Sequence, residues 1–132
     1  MNVVLGKGST GSVYEGRDIK SDNKVAVKVI DLSTIDNEVM EYLLCMEKTA
    51  LMSLDNTSIL KGLRVMQDEK FCFMVTEYCN GGTLKKYIQT KGLLSEEKSM
   101  EIVKQILEGY QNLVSKGITH RDLKPANIML HN

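Results

Sequence analysis

Apolar and polar residues change their rhythm along this chain of 132 residues. Up to Asn80 the rhythm is mainly that of strands. The runs "VVLGKGS" and "SVYEGRD" are short, β-prone and flank a glycine-rich bend, and "SDN" reads as a polar turn. "KVAVKVI" is β-branched and apolar on both faces, which predicts a central strand. A helical stretch from Asp36 to Leu54 interrupts the strands, with Leu43, Leu44, Ala50, Leu51 and Leu54 on one stripe. "SILKGLRVM" and "FCFMVTEY" predict two further strands joined by a turn at "QDEK". "NGG" at Asn80–Gly82 then breaks the pattern, and the residues beyond it have helical spacing. A short helix is expected in "TLKKYIQT" and a long one from Ser95 to Lys116. Ser95 is placed to cap the long helix, Glu96 and Glu97 suit its positive end, and Gly117 stands where a left-handed stop belongs. Met100, Val103, Ile106, Leu107, Tyr110, Leu113 and Val114 give it a broad apolar stripe, as for a buried helix. The pattern predicts an α+β class: a β-rich lobe over 1–79, then the start of a helical lobe over 80–132.

Composition narrows the class. The length suits one domain, able to bury roughly two-thirds of its unfolded surface. With 42% hydrophobic and 26% charged residues the chain is of the soluble globular type. Lys+Arg and Asp+Glu balance at 17 each, which argues against a chain-wide affinity for nucleic acid or anionic membrane. No apolar run approaches the ~18 residues of a membrane span. Cys45, Cys72 and Cys79 are odd in number and fit no metal spacing, so reduced thiols are expected. No signal peptide is seen, and an intracellular, cytoplasmic location is expected, with the nucleus as the alternative.

Four features carry chemistry. Gly6, Gly8 and Gly11 form G-x-G-x-x-G, with Val13 two residues on. Glycines let a backbone approach phosphate closely. The pattern fits a tight hairpin, a dinucleotide turn or a flap over phosphates. The strand-like "SVYEG" after the glycines disfavours the dinucleotide turn, which needs a helix there. Lys28 lies mid-strand in "VAVKVI", sharing a face with Ala26 and Ile30, where a charge needs a partner. Glu47 falls on the apolar side of its helix, between Leu43–Leu44 and Ala50–Leu51, and Lys28 is the cation it would meet. Glu38 and Glu41 are rival acids that could equally serve the helix dipole. In "HRDLKPAN", Asp122 could accept a hydroxyl proton, Lys124 could neutralise a transferring phosphoryl group and Asn127 could bind a metal ion. Pro125 is expected to hold that loop on a non-helical path. His120 with Asp122 also reads as a metal pair, but no further ligand is spaced for it.

Taken in order, these motifs resemble the eukaryotic protein kinase family, and the resemblance covers essentially the whole chain. "GKGSTGSV" resembles the glycine-rich loop over the ATP phosphates, which draws in Leu5, Gly6, Lys7, Gly8, Ser9 and Gly11. "VAVK" resembles the strand whose lysine, here Lys28, holds the α- and β-phosphates, and Glu47 matches that family's αC glutamate. "MVTEYCNGGTL" resembles the fifth strand and hinge. By that match Thr76 is the gatekeeper, Glu77 and Cys79 offer backbone hydrogen bonds to adenine, and Thr83 stands at the ribose. Leu5, Val13, Ala26 and Met129 would sandwich the ring. "HRDLKPAN" resembles the catalytic loop, with a lysine and proline of the serine/threonine type. There Asp122 would orient and deprotonate the acceptor hydroxyl, Lys124 would steady the γ-phosphate and Asn127 would hold Mg²⁺.

The resemblance implies a protein-kinase-like fold and a serine/threonine kinase using ATP and Mg²⁺ on a protein hydroxyl, with no nucleic-acid or membrane partner. No D-F-G or A-P-E motif stands after the loop in these residues. The sequence therefore reads as an incomplete catalytic domain, with a catalytically inactive, pseudokinase-like ATP-binding module as the alternative. An exposed stripe on the long helix would call for a chaperone or a complementing partner.

Overall fold

The computed structural model describes residues 3–8 and 10–131. They form two compact units: Met1–Leu54 with Lys61–Tyr78, and Asp55–Leu60 with Cys79–Asn132.

The first unit is an antiparallel five-stranded sheet with one long helix. Its strands are β1 (Val4–Lys7), β2 (Ser12–Arg17), β3 (Lys24–Asp31), β4 (Gly62–Gln67) and β5 (Phe71–Glu77), in the order β1-β2-β3-β5-β4. β3 is central, and Val25 and Ile30, on its opposite faces, are both buried. The "QDEK" turn closes on Asp68, whose Oδ1 accepts from the N–H groups of Lys70 and Phe71 at 2.7 Å each. Helix α1 (Glu38–Ser53) starts at Asn37, whose side chain accepts from Met40 N–H at 3.0 Å. Its Leu44 joins Ile30, Cys72 and Met74 in the core, with Leu51 and Val65 packed against them. Burial raises the pKa of the Cys72 thiol, as suits a structural cysteine. Leu43 is exposed, so the face α1 buries is narrower than its leucine pattern predicts.

β4 also begins later than the apolar run suggests. A Cβ at Gly62 would stand 2.4 Å from the Leu51 carbonyl oxygen, so glycine allows β4 to meet the end of α1. The preceding residues are bent instead by Asn56, whose Oδ1 accepts from Ser58 N–H at 2.8 Å and whose carbonyl accepts from Ile59 N–H at 3.0 Å.

The second unit holds α2 (Leu84–Lys91), α3 (Glu96–Ser115) and a ribbon of β6 (Gly82–Thr83) with β7 (Met129–Leu130). Ser95 caps α3 by accepting from Lys98 N–H at 3.2 Å. At its other end Gly117, at φ +68°, donates to the Val114 carbonyl, and Ile118 N–H donates to that of Leu113. That is a Schellman stop. Ile102, Ile106 and Leu113 are half-buried, and Gly109 is buried, with its backbone so near the Ser58 carbonyl that a Cβ would come within 2.7 Å. Met100, Val103, Leu107, Tyr110 and Val114 remain exposed, so this unit covers only part of the predicted stripe. Among the described residues no helix is long and apolar enough to cross a membrane.

Candidate active site

In the first unit the site grows from strand register. Val13 pairs with Lys28 across β2 and β3, while Lys28 pairs with Met74 and Ala26 with Thr76 across β3 and β5. Partners across a ladder share a face. Val13, Ala26, Lys28, Met74 and Thr76 therefore line one face of the sheet. The core cluster under α1 takes in Ile30, Cys72 and Met74 of that face and does not include Ala26 or Val13. Met74 escaped the sequence reading as a site neighbour, although its i, i+2 relation to Thr76 places it on this face.

Lys28 stands where the α1-covered part of the face ends. Its Nζ is 2.6 Å from Glu47 Oε1, with the two side chains 24% and 44% exposed. The sequence placed both in apolar surroundings, and here the structure differs. Leu44 is the buried contact of α1, and Glu47 lies at the rim of that contact, still open to water. Glu38 and Glu41 stay in the first turn of α1, at the positive end of its dipole.

The glycine-rich segment is a strand–loop–strand hairpin, with Gly6 opposite Val13, Lys7 opposite Ser12 and an irregularity around Leu5. Gly8 N–H donates to the Gly11 carbonyl at 2.8 Å. Gly11 answers to packing: a Cβ there would lie 2.3 Å from the Val29 carbonyl oxygen. A Cβ at Gly6 would meet nothing within 4 Å, which leaves that backbone open to a ligand. Ser9 lies outside the described residues. Thr76 is buried and its hydroxyl donates to the Glu77 carbonyl at 3.2 Å, leaving that oxygen a second lone pair. Glu77 N–H is committed to the Lys61 carbonyl at 3.1 Å, so the carbonyl is the backbone group Glu77 can offer.

In the second unit "HRDLKPAN" gathers three side chains. Asp122 Oδ2 lies 2.9 Å from Lys124 Nζ and accepts from Asn127 Nδ2 at 2.9 Å. The same amide nitrogen donates to the Asp122 carbonyl at 2.8 Å. The bond from Lys124 and then that from Asn127 hold the Asp122 carboxyl below the usual aspartate range. Arg121 takes a left-handed φ of +64°, uncommon for a side chain of its size. Pro125 departs from its expected role: Pro125–Asn127 is a short 3₁₀ turn, which the fixed φ of proline suits at its first position.

Neighbouring groups are tied to this loop. Thr83 pairs with Met129, and Leu84 N–H donates to the Ile128 carbonyl at 2.8 Å. The Thr83 hydroxyl caps α2 by accepting from Lys86 N–H at 3.2 Å, and its own O–H can still donate. Cys79 is half-buried. His120 Nδ1 accepts from Asp122 N–H at 3.2 Å, which takes that nitrogen out of the suggested metal pair. Among the described residues no group of three or more His, Cys, Asp and Glu side chains could hold a metal. Asn127 fits a lighter duty: its nitrogen faces Asp122, so its amide oxygen is the atom left for a hard cation.

Comparison with known proteins shows what the chain is similar to. The family model described as "Protein kinase domain" matches residues 1–132. "Serine/threonine-protein kinase atg1" of Dictyostelium discoideum is 37% identical over 131 residues, covering 96% of this chain and 20% of that protein. "Serine/threonine-protein kinase ppk11" of Schizosaccharomyces pombe is 33% identical over 126 residues, covering 96% of this chain and 40% of that one. Among solved structures, the crystal structure of Rad53 1-466 in complex with AMP-PNP matches with a TM-score of 0.88 at 29% identity, over 100% of this chain and 34% of that one. The chain thus spans 20% and 40% of the length of these two relatives.

Proposed function

The chain belongs to the protein kinase family, and we propose that it carries the ATP-holding and acceptor-orienting groups of a serine/threonine protein kinase. The observation that carries this reading is the Asp122 carboxylate, fixed by Lys124 and Asn127 within one short loop. The AMP-PNP bound to Rad53 supports ATP as the nucleotide.

In this reading Lys28, oriented by Glu47, holds the α- and β-phosphates. The open backbone of Gly6 faces the phosphates, with Lys7, Gly8, Ser9 and Gly11 in the same loop. Leu5, Val13, Ala26 and Met129 contact the adenine ring, Thr76 bounds its pocket, and Glu77 and Cys79 supply its backbone hydrogen bonds. Thr83 donates to the ribose. Asp122 accepts a hydrogen bond from the acceptor hydroxyl and aims its oxygen at the γ-phosphorus. A new O–P bond forms, the bond to the β,γ-bridging oxygen breaks, ADP leaves and the hydroxyl proton passes to Asp122. Lys124 offsets charge on the transferring group. Bound with the nucleotide, Mg²⁺ neutralises phosphate charge, and Asn127 would lend it an amide oxygen.

The test is transfer of labelled γ-phosphate to a serine peptide by the full chain as it occurs in its source. Transfer that Asp122→Asn abolishes supports the reading. ATP binding without any transfer would instead favour a silent nucleotide-binding module.

A further inference from the structure

Charge is not spread evenly over the second unit. The segments 79–94 and 116–131 carry Lys85, Lys86, Lys91, Lys116, Arg121 and Lys124 against a single acid, Asp122. Asp122 is itself paired with Lys124 at 2.9 Å. Acids outnumber cations instead on α3, where Glu96, Glu97, Glu101 and Glu108 stand against Lys98 and Lys104. A chain with no net charge thus sets an excess of cations around its acceptor-orienting loop.

Two of these cations stand on the helix whose start is tied by hydrogen bonds to the loop of Asp122. Lys85 and Lys86 are exposed on the first turn of α2. Leu84, just before them, donates to the Ile128 carbonyl, and Asn127, just before Ile128, donates to Asp122. α2 also packs on the Pro125–Asn127 turn. An extended peptide with its hydroxyl at Asp122 advances roughly 3.3 Å per residue. The field of a surface lysine decays over about 8 Å in physiological salt, so it acts on residues within a few positions of the acceptor.

We infer that Lys85 and Lys86 select acceptor segments with acidic residues next to the phosphorylated serine or threonine, an inference that rests on the kinase reading above. A protein segment suits this face better than nucleic acid. Its aromatic group is Tyr87, which is half-buried, whereas single strands need exposed stacking platforms.

The test measures fluorescence anisotropy of three labelled serine peptides on the full chain, identical except for Glu, Ala or Lys around the serine. Phosphate transfer to each is measured in parallel. The Glu peptide is expected to bind about tenfold tighter than the Ala peptide, with the margin shrinking at high salt. Lys85→Glu with Lys86→Glu should erase the margin and leave the Ala peptide unchanged. Acids suit the first turn of a helix, so α2 should survive the exchange. Equal binding of the Glu and Ala peptides, tighter binding of the Lys peptide, no peptide binding, or tighter binding of an RNA oligonucleotide would each overturn the inference. So would a double variant that kept the margin. Binding is read without chemistry. A chain that prefers the Glu peptide but transfers no phosphate therefore refutes the kinase reading and leaves the acidic preference standing.

Discussion

The Lys28–Glu47 pair gives the sharpest separation between stability and catalysis. At the observed 2.6 Å, Coulomb attraction is about 1.6 kcal/mol with the dielectric of water and about 6 kcal/mol at an effective value near 20. The side chains are 24% and 44% exposed, so the screened end of that range governs. Pairs of this kind contribute about 0.2–1 kcal/mol when measured by mutation. Glu47→Gln should therefore lower the melting temperature by no more than about 8 °C, the shift expected for 1 kcal/mol in a unit of this size. Activity should respond far more. Lys28 has a flexible stem with about 2 kcal/mol of rotamer entropy, and among the described residues Glu47 is the acid that pairs with its ammonium. A misplacement of about 1 Å can cost about 100-fold, which is the fall expected in kcat/KM. In the proposed reading Glu47 acts through Lys28 as a positioning residue, so KM for ATP should rise as kcat falls, and Glu47→Asp should recover part of both. Thermal melts and steady-state kinetics with varied ATP on the full chain measure this. A melting point lowered well beyond 8 °C would make the pair a stability device. A kcat/KM within about twofold of the parent would remove Glu47 from the site.

Five further outcomes are expected. Lys28→Met should abolish transfer while shifting the melting point by only a few degrees, and surviving transfer would displace Lys28 as the ATP lysine. Asp122→Asn should leave nucleotide binding intact and lower kcat by about 10²–10⁴. In the parent chain the Asp122 pKa lies below the ordinary 3.8, so any stability its ionised form contributes is present above that value and lost only as pH falls through the lower one. Lys124→Met should move the Asp122 titration, monitored by carboxyl NMR, upward toward the ordinary value; an unmoved curve would mean the 2.9 Å contact is not populated in solution. Thr76→Met, on the face with Ala26, should weaken bulky adenine-site inhibitors by at least about tenfold and spare ATP; equal loss of both would mean Thr76 does not bound the adenine pocket. Gly109→Ala would gain about 1 kcal/mol in an open helix, but its Cβ would come 2.7 Å from the Ser58 carbonyl. A net loss of about 1–3 kcal/mol is expected, and a rise in melting temperature would contradict that packing.

Local signals are legible in the sequence, and coverage is much less so. "KVAVKVI" announces a central strand because both its faces are apolar, and β3 lies between β2 and β5. Ser95 and Gly117 mark the ends of α3 because capping needs only groups a few residues away. The start of β4 is different in kind. It depends on Gly62 meeting the Leu51 backbone, a contact between separate elements that no local pattern encodes. The ribbon of β6 and β7 likewise joins Gly82–Thr83 to Met129–Leu130 across an intervening pair of helices. The stripes on α1 and α3 show which positions are apolar. They do not show which neighbours cover them, and Leu43 and Leu107 are consequently exposed.

The candidate site shows the same division. Lys28 and Glu47 were legible as partners because each is a charge set among apolar residues, although the pair they form lies at a wetter rim than that reasoning implied. Asp122, Lys124 and Asn127 were legible by spacing alone. Their mutual geometry was not, and it changes the chemistry assigned to Asp122. A carboxylate that accepts from both Lys124 and Asn127 binds a proton weakly. It is poorly suited to strip a hydroxyl, whose own proton is held far more tightly, before phosphorus is attacked. In the proposed reaction its first contribution is therefore positional: it fixes the direction of the acceptor O–H bond. The proton moves late, once bonding to phosphorus has made the hydroxyl acidic, and by then Lys124 is placed to counter the charge that remains.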